Sequence, residues 1–255
     1  MQEHRTRPLA SRHVTPGPRM YCAEGLAQGA IVTLSEAAQR HLAALRLQRG
    51  DAIVLFSGDG YEYSAELVEL SKRNAAAKIQ EPREVDRESP IAITLVQGIC
   101  AADRMDLLVQ KATELGVRAI QPVISTRTVI RLSSDRQERR AQHWENVAIA
   151  ACEQCGRNRL PEMRPSIKFD EWIATGPSAD ARILLSPYGD KRLADLPRGE
   201  SAIIAIGPEG GLTEDEHNLA ESRGFTPIRF GPRILRTETA PLAVIAALQA
   251  LWGDC

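Results

Sequence analysis

Hydrophobic and polar positions divide the chain into two stretches with different periods. In the first, short apolar runs alternate with turn residues. Ala30–Leu34 and Ala52–Gly58 read as strands, and Tyr61–Leu70 alternates at period two after the Gly58-Asp59-Gly60 turn. A further strand is expected at Ala75–Gln80, and Ser35 caps a short helix that ends near Arg46. Several short strands and one helix over residues 19–84 predict a small β-barrel, a shape common in RNA-contacting modules. Residues 1–18, with Pro8, Pro16 and Pro18 and no periodicity, are expected to form a flexible tail. The proline-bracketed, charged segment 82–90 is the expected domain boundary.

From residue 90 to 255 the pattern becomes strand, helix, strand. The apolar run Ile91–Ile99 leads into a helix from Asp103 to Leu115, stopped by Gly116. A strand over 119–125 and a long helix from Ser134 to Cys155 follow. Strands are expected at 182–187, 202–207 and 226–231. The last helix, Thr239–Trp252, is apolar on every side, which suits burial in the fold or in a dimer interface. Alternation of this kind predicts an α/β domain with a mostly parallel sheet and helices on both faces.

Composition adds little: 43% hydrophobic and 25% charged residues describe an ordinary globular protein of 255 residues. No run of about 18 apolar residues is present and the N-terminus lacks an apolar signal core, so no membrane span is expected. Five scattered cysteines suit a reducing cytoplasm better than a disulfide framework. Charge changes the picture more. Residues 118–164 hold nine arginines against five acids, whereas residues 201–255 hold four arginines against seven acids. Basic segments away from a glycine-rich region suggest a polyanion held in one place and a small ligand in another.

The small-ligand candidate is Gly207-Pro208-Glu209-Gly210-Gly211, which follows a strand and precedes the capping box Thr213–Glu216. It lacks both the dinucleotide glycine spacing and the lysine of a phosphate loop. Glu209 and the acids after it argue for a neutral or cationic ligand over a phosphate. A second Gly-Pro turn, Gly231–Ala240, brings Arg236 and Glu238 to a helix start. The pair Cys152/Cys155 has no second pair to complete a zinc site, and Gly156-Arg157-Asn158-Arg159 beside it could meet phosphate. No hydrolase triad or zinc-protease motif is present.

Four segments together, 206–216, 230–249, 108–117 (LVQKATELGV) and 151–162 (ACEQCGRNRLPE), closely resemble the bacterial 16S rRNA uridine-N3 methyltransferase family of the SPOUT superfamily. The resemblance spans about residues 19–253. It implies a PUA-like barrel followed by an α/β domain with a trefoil knot, a homodimer, and S-adenosylmethionine held in the knot. By position it assigns the cofactor to Leu185, Ser186, Ile206, Gly207, Pro208, Glu209, Gly210, Gly211, Phe230, Gly231, Ile234, Leu235, Arg236, Thr239 and Ala240. On that reading, uracil N3 must lose a proton as the methyl arrives, so Arg236 is expected to stabilise charge on a uracil oxygen, with Glu238 or water as the base. RNA of the small subunit would meet Arg19, Arg46, Arg127, Arg157 and Arg159. A SPOUT enzyme acting on another RNA position, such as a ribose 2′-hydroxyl, and a non-catalytic assembly factor remain open alternatives.

Overall fold

The computed structural model describes residues 17–23, 25–129 and 134–255; the first sixteen residues of the expected tail lie outside them. The chain divides into two units, residues 1–85 and 86–255.

The first unit contains β1 (Arg19–Tyr21), β2 (Ile31–Thr33), α1 (Glu36–Ala44), β3 (Ala52–Phe56), β4 (Tyr61–Leu70) and β5 (Ala75–Glu84). Its strands run in the order β1-β3-β4-β5-β2 around a core that includes Met20, Leu42, Leu55, Leu67 and Ile79. Two register shifts in the β4–β5 hairpin, at Tyr63/Ala65 and Leu67/Glu69, add the twist that lets long strands coil around so small a core. Strand β5 runs four residues past its expected end, through Pro82. Among the described residues its partner there is β4 alone, which makes it an edge strand, where proline is tolerated. Ser35 caps α1 by accepting from Ala38 N (3.2 Å). Arg46 follows with φ +59°, a position that usually holds glycine.

The second unit contains β6 (Ala92–Gly98), α2 (Ala102–Glu114), β7 (Ala119–Ile124), α3 (Ser134–Cys155), β8 (Glu162–Met163), β9 (Ile167–Lys168) and α4 (Phe169–Ala174). It continues through β10 (Ala181–Leu185), β11 (Ser201–Ile206), α5 (Glu214–Ser222), β12 (Thr226–Ile228) and α6 (Thr239–Trp252). The sheet order is β12-β10-β11-β6-β7-β8, with β9 also on β7, and every pairing is parallel.

Burial on both faces explains the continuous apolar runs. Ile93, Leu95, Ile183 and Ile204 face a core shared with α2 and α6. Their neighbours Val96, Leu184, Ile203 and Ala205 face a second core with Phe169, Trp172, Ala220 and Phe225 from the region of α4 and α5. Sequence pattern missed β8, β9 and α4, pieces of two to six residues, too short for a period to show. Helix α6 buries Val244, Ile245, Leu248 and Trp252, while Ala246, Ala250 and Leu251 are exposed, so one apolar face is left outward.

Candidate functional site

Strands β12, β10, β11 and β6 lie side by side and parallel, so their carboxyl ends open onto one edge of the sheet. Chain order reverses there: β7 continues on one side of β6 and β11 on the other, the usual setting for a ligand crevice. Three chain returns from that edge, together with Arg104 and Arg127, wall a cavity of about 640 Å³.

Glycines let these walls approach. A Cβ on Gly98, at the end of β6, would lie 2.4 Å from Pro208 N and 2.6 Å from Gly207 C. A Cβ on Gly207 would lie 2.6 Å from Gly211 C, because the loop folds back on itself through Gly211 N–H to Pro208 O (2.8 Å). The third return is tied to the second by Thr237, whose hydroxyl donates to Gly207 O (2.7 Å) and accepts from Gln97 Nε2 (3.0 Å). Arg127 Nη1 donates to the carbonyls of Gly210 (3.0 Å) and Leu212 (3.2 Å), fixing the loop from outside. The capping box forms as the spacing predicts, Glu216 accepting from Thr213 N at 2.7 Å. The other Glu216 oxygen accepts from Thr126 N.

Of the residues assigned to the cofactor, Leu185, Ser186, Ile206, Gly207, Pro208, Glu209, Gly210, Gly211, Phe230, Ile234, Leu235, Arg236 and Ala240 line this cavity. Gly231 and Thr239 flank the third return without lining it. The acidic character expected of the glycine loop is not what the cavity presents. Glu216 is consumed by its cap and by Thr126, and the lining holds Arg104, Arg127, Arg229, Arg233 and Arg236 against Glu209.

Arg104, which sequence reasoning passed over, joins the charged groups. Its Nη1 lies 2.9 Å from Glu209 Oε1 and its Nε 4.0 Å from Glu238 Oε1. Glu238 Oε1 is also 4.0 Å from Arg236 Nη1, while its buried Oε2 has no partner among the described residues. Glu209 also accepts from the backbone N–H of Ala101 (2.9 Å), at the start of a helix that has no side-chain cap of its own. Cys100 sits beside these acids; burial, then Glu209 and Glu238, push its thiol up to about 12, which keeps it protonated. Burial holds His217, on the cavity wall, below the usual imidazole range.

The arginines expected to hold RNA separate into two groups. Arg157 is a correction: its guanidinium is buried, paired with Glu88 and bonded to two carbonyls at the end of α2, so it is not offered to a polyanion. Arg19 is committed in the same way, to Glu62 at 2.5 Å and to the Phe56 ring at 4.9 Å. Both sit where packing, not spacing, decides exposure. Arg46, Arg127 and Arg159 are exposed, Arg46 in the first unit and the other two in the second. Only Arg127 reaches the cavity. Among the described residues no group of acids, histidines and cysteines could hold a metal ion, and no helix is long and apolar enough to cross a membrane.

Residues 87–249 match the family model described as the RNA methyltransferase domain, and residues 34–80 match the RNA methyltransferase PUA domain. The Bacillus subtilis ribosomal RNA small subunit methyltransferase E is 34% identical, over 82% of this chain and 87% of its own length. A ribosomal RNA small subunit methyltransferase E from Neisseria gonorrhoeae, solved with S-adenosyl methionine, is 43% identical. It has a TM-score of 0.86 over 93% of this chain and 99% of its own. A Legionella pneumophila methyltransferase solved with SAM is 35% identical with a TM-score of 0.90, over 94% of this chain and 99% of its own.

Proposed function

This chain belongs to the RNA methyltransferase family, and from that membership we propose that it methylates N3 of a uridine in 16S rRNA of the small ribosomal subunit. The methyl donor is S-adenosylmethionine, which supplies an electrophilic methyl group on a cationic sulfur. The residues present suit such a ligand. The cavity has the size of a small-molecule site. Its walls offer backbone groups at Gly207–Gly211, and the phosphate-loop lysine is missing.

The observation that carries the reading is the cluster Arg104, Arg236 and Glu238 beside that cavity. Uracil N3 bears a proton and is a weak nucleophile, so negative charge must be accommodated on the ring oxygens as the proton leaves. Arg236, whose side chain is 77% exposed, is free to reach a base and stabilise that charge. Glu238 Oε1 lies 4.0 Å from the arginine, and this carboxylate is the candidate acceptor for the N3 proton. The remaining task is alignment, which the three fixed returns supply. The target base must be unpaired or splayed out, since pairing covers N3.

The outward apolar face of α6, with Leu107 of α2 (45% exposed) and Leu251 (49% exposed), supports a homodimer. An rRNA-modifying role places the enzyme in the cytoplasm. The test is nucleoside mass spectrometry of small-subunit RNA from a strain lacking the gene. N3-methyluridine should be lost, then restored by the wild-type gene. The Arg236→Ala gene should support methyl transfer about 100- to 1000-fold more slowly than wild type. Loss of a 2′-O-methyl nucleoside with N3-methyluridine intact would overturn the proposal.

A further inference from the structure

The mouth of the cavity carries side chains that the steps above do not use. Tyr188 is 90% exposed and Ile234 83% exposed, and both line the opening with Arg229 and Arg233. Neither arginine has an ion-pair partner among the described residues. Two large apolar side chains exposed on the lining of one cavity, with arginines beside them, make the kind of patch that marks an interaction surface.

The backbone beneath the ring is held in place. Tyr188 N–H donates to Ser186 Oγ (3.3 Å) and Gly189 N–H donates to Ser186 O (3.2 Å), closing a tight turn directly after β10. The turn is pressed onto the end of β12. A Cβ on Gly189 would lie 2.8 Å from the backbone of Pro227, Ile228 and Arg229, and Arg229 N–H donates to Lys191 O (3.1 Å). The backbone that bears the ring is therefore set before any ligand arrives, which lowers the ordering penalty of binding.

We infer that Tyr188 is the stacking platform for a base of single-stranded RNA at the cavity mouth, with Arg229 and Arg233 meeting the flanking phosphates. The inference rests on the methyltransferase reading above and adds the surface that grips the substrate. Every base has a π face, so an exposed ring ringed by cations suits single-stranded nucleic acid without requiring one sequence. A second copy of the chain fits less well. Around a two-fold axis it would bring the same arginines together, and Glu209, the acid on the cavity lining, is already bonded to Arg104.

The test measures methyl transfer to small ribosomal subunits purified from a strain lacking the gene. Tyr188→Ala should raise KM for subunits about five- to tenfold. Tyr188→Phe should stay within about twofold of wild type, because the phenyl ring also stacks. Calorimetry should give an unchanged S-adenosylmethionine affinity for both variants. Replacing Arg229 and Arg233 together by alanine should reduce the slope of log affinity against log salt by about 1.4.

Three results would overturn the inference: an unchanged subunit KM for Tyr188→Ala, weaker cofactor binding in place of weaker subunit binding, or a change of sedimenting species. The last would assign the ring to contact with a second copy. If the wild-type protein itself transfers no methyl group to these subunits, the function above fails and this inference fails with it. Normal wild-type transfer with an indifferent Tyr188 sinks this inference alone.

Discussion

Replacing Arg157 separates a structural cation from an RNA-binding one. Its side chain is 5% exposed and is hydrogen-bonded to Glu88, Thr113 and Val117. Nε and Nη2 reach the two Glu88 oxygens at 3.1 and 2.5 Å, and Nη1 reaches Thr113 O at 2.8 Å and Val117 O at 3.1 Å. Arg157→Ala takes a donor from the carbonyls of two fully buried residues, of which Thr113 O keeps the Gly116 N–H (3.0 Å), and leaves Glu88 without its main partner. Breaking a buried ion pair from one side loses about 3–5 kcal/mol. Glu88 is 23% exposed and regains some water, which favours the lower end, about 3 kcal/mol. For a unit of this size that is a fall in Tm of about 6–12 °C. Thermal unfolding followed by circular dichroism measures it, with Arg159→Ala as the control because that side chain is exposed. The reasoning is refuted if Arg157→Ala melts like wild type and instead weakens RNA binding with a shallower salt dependence, the signature of a lost phosphate contact.

Gly98→Ala places a methyl group 2.4 Å from Pro208 N and 2.6 Å from Gly207 C, backbone atoms that can give only if the glycine loop shifts. Calorimetry should show at least a tenfold loss of S-adenosylmethionine affinity, whereas Gly25→Ala, which meets nothing within 4 Å, should bind normally. His217 gives a pH signature. Burial lowers its folded pKa below 6.5, so the unfolded chain takes up the proton first as pH falls through that value, and stability declines toward the folded pKa. Melts at pH 7 and pH 5.5 should differ less in His217→Gln than in wild type. Cys155 should alkylate with iodoacetamide at pH 7 faster than Cys22, Cys100 or Cys152, as mapped by mass spectrometry. A hydrogen bond from the Cys152 thiol favours its thiolate, and it is less buried than those three.

Elements with a clear period were legible in the sequence. The apolar runs at 91–99 and 202–207 became central strands, and the Ser35 and Thr213 caps formed where their spacing placed them. Local pattern could not distinguish an arginine on the surface from one folded inward. Arg157 and Arg159 are two residues apart in one basic segment, yet the chain bends between them, and one is buried while the other meets water. Arg104 was missed for a related reason. Its partners, Glu209 and Glu238, are more than a hundred residues away, and only the parallel sheet brings the end of β6 to the glycine loop.

The bond from Ala101 N–H to Glu209 joins events at two places in the chain. Helix α2 has its first turn completed by a carboxylate on the glycine loop, so the loop cannot swing away without uncapping the helix. The first turn of α2 and the loop over Gly207–Gly211 therefore form one cooperative opening unit, with a shared free energy of local unfolding. A ligand that closes the loop also protects amides in the first turn of α2, and hydrogen exchange at Ala101–Arg104 becomes a gauge of cavity occupancy.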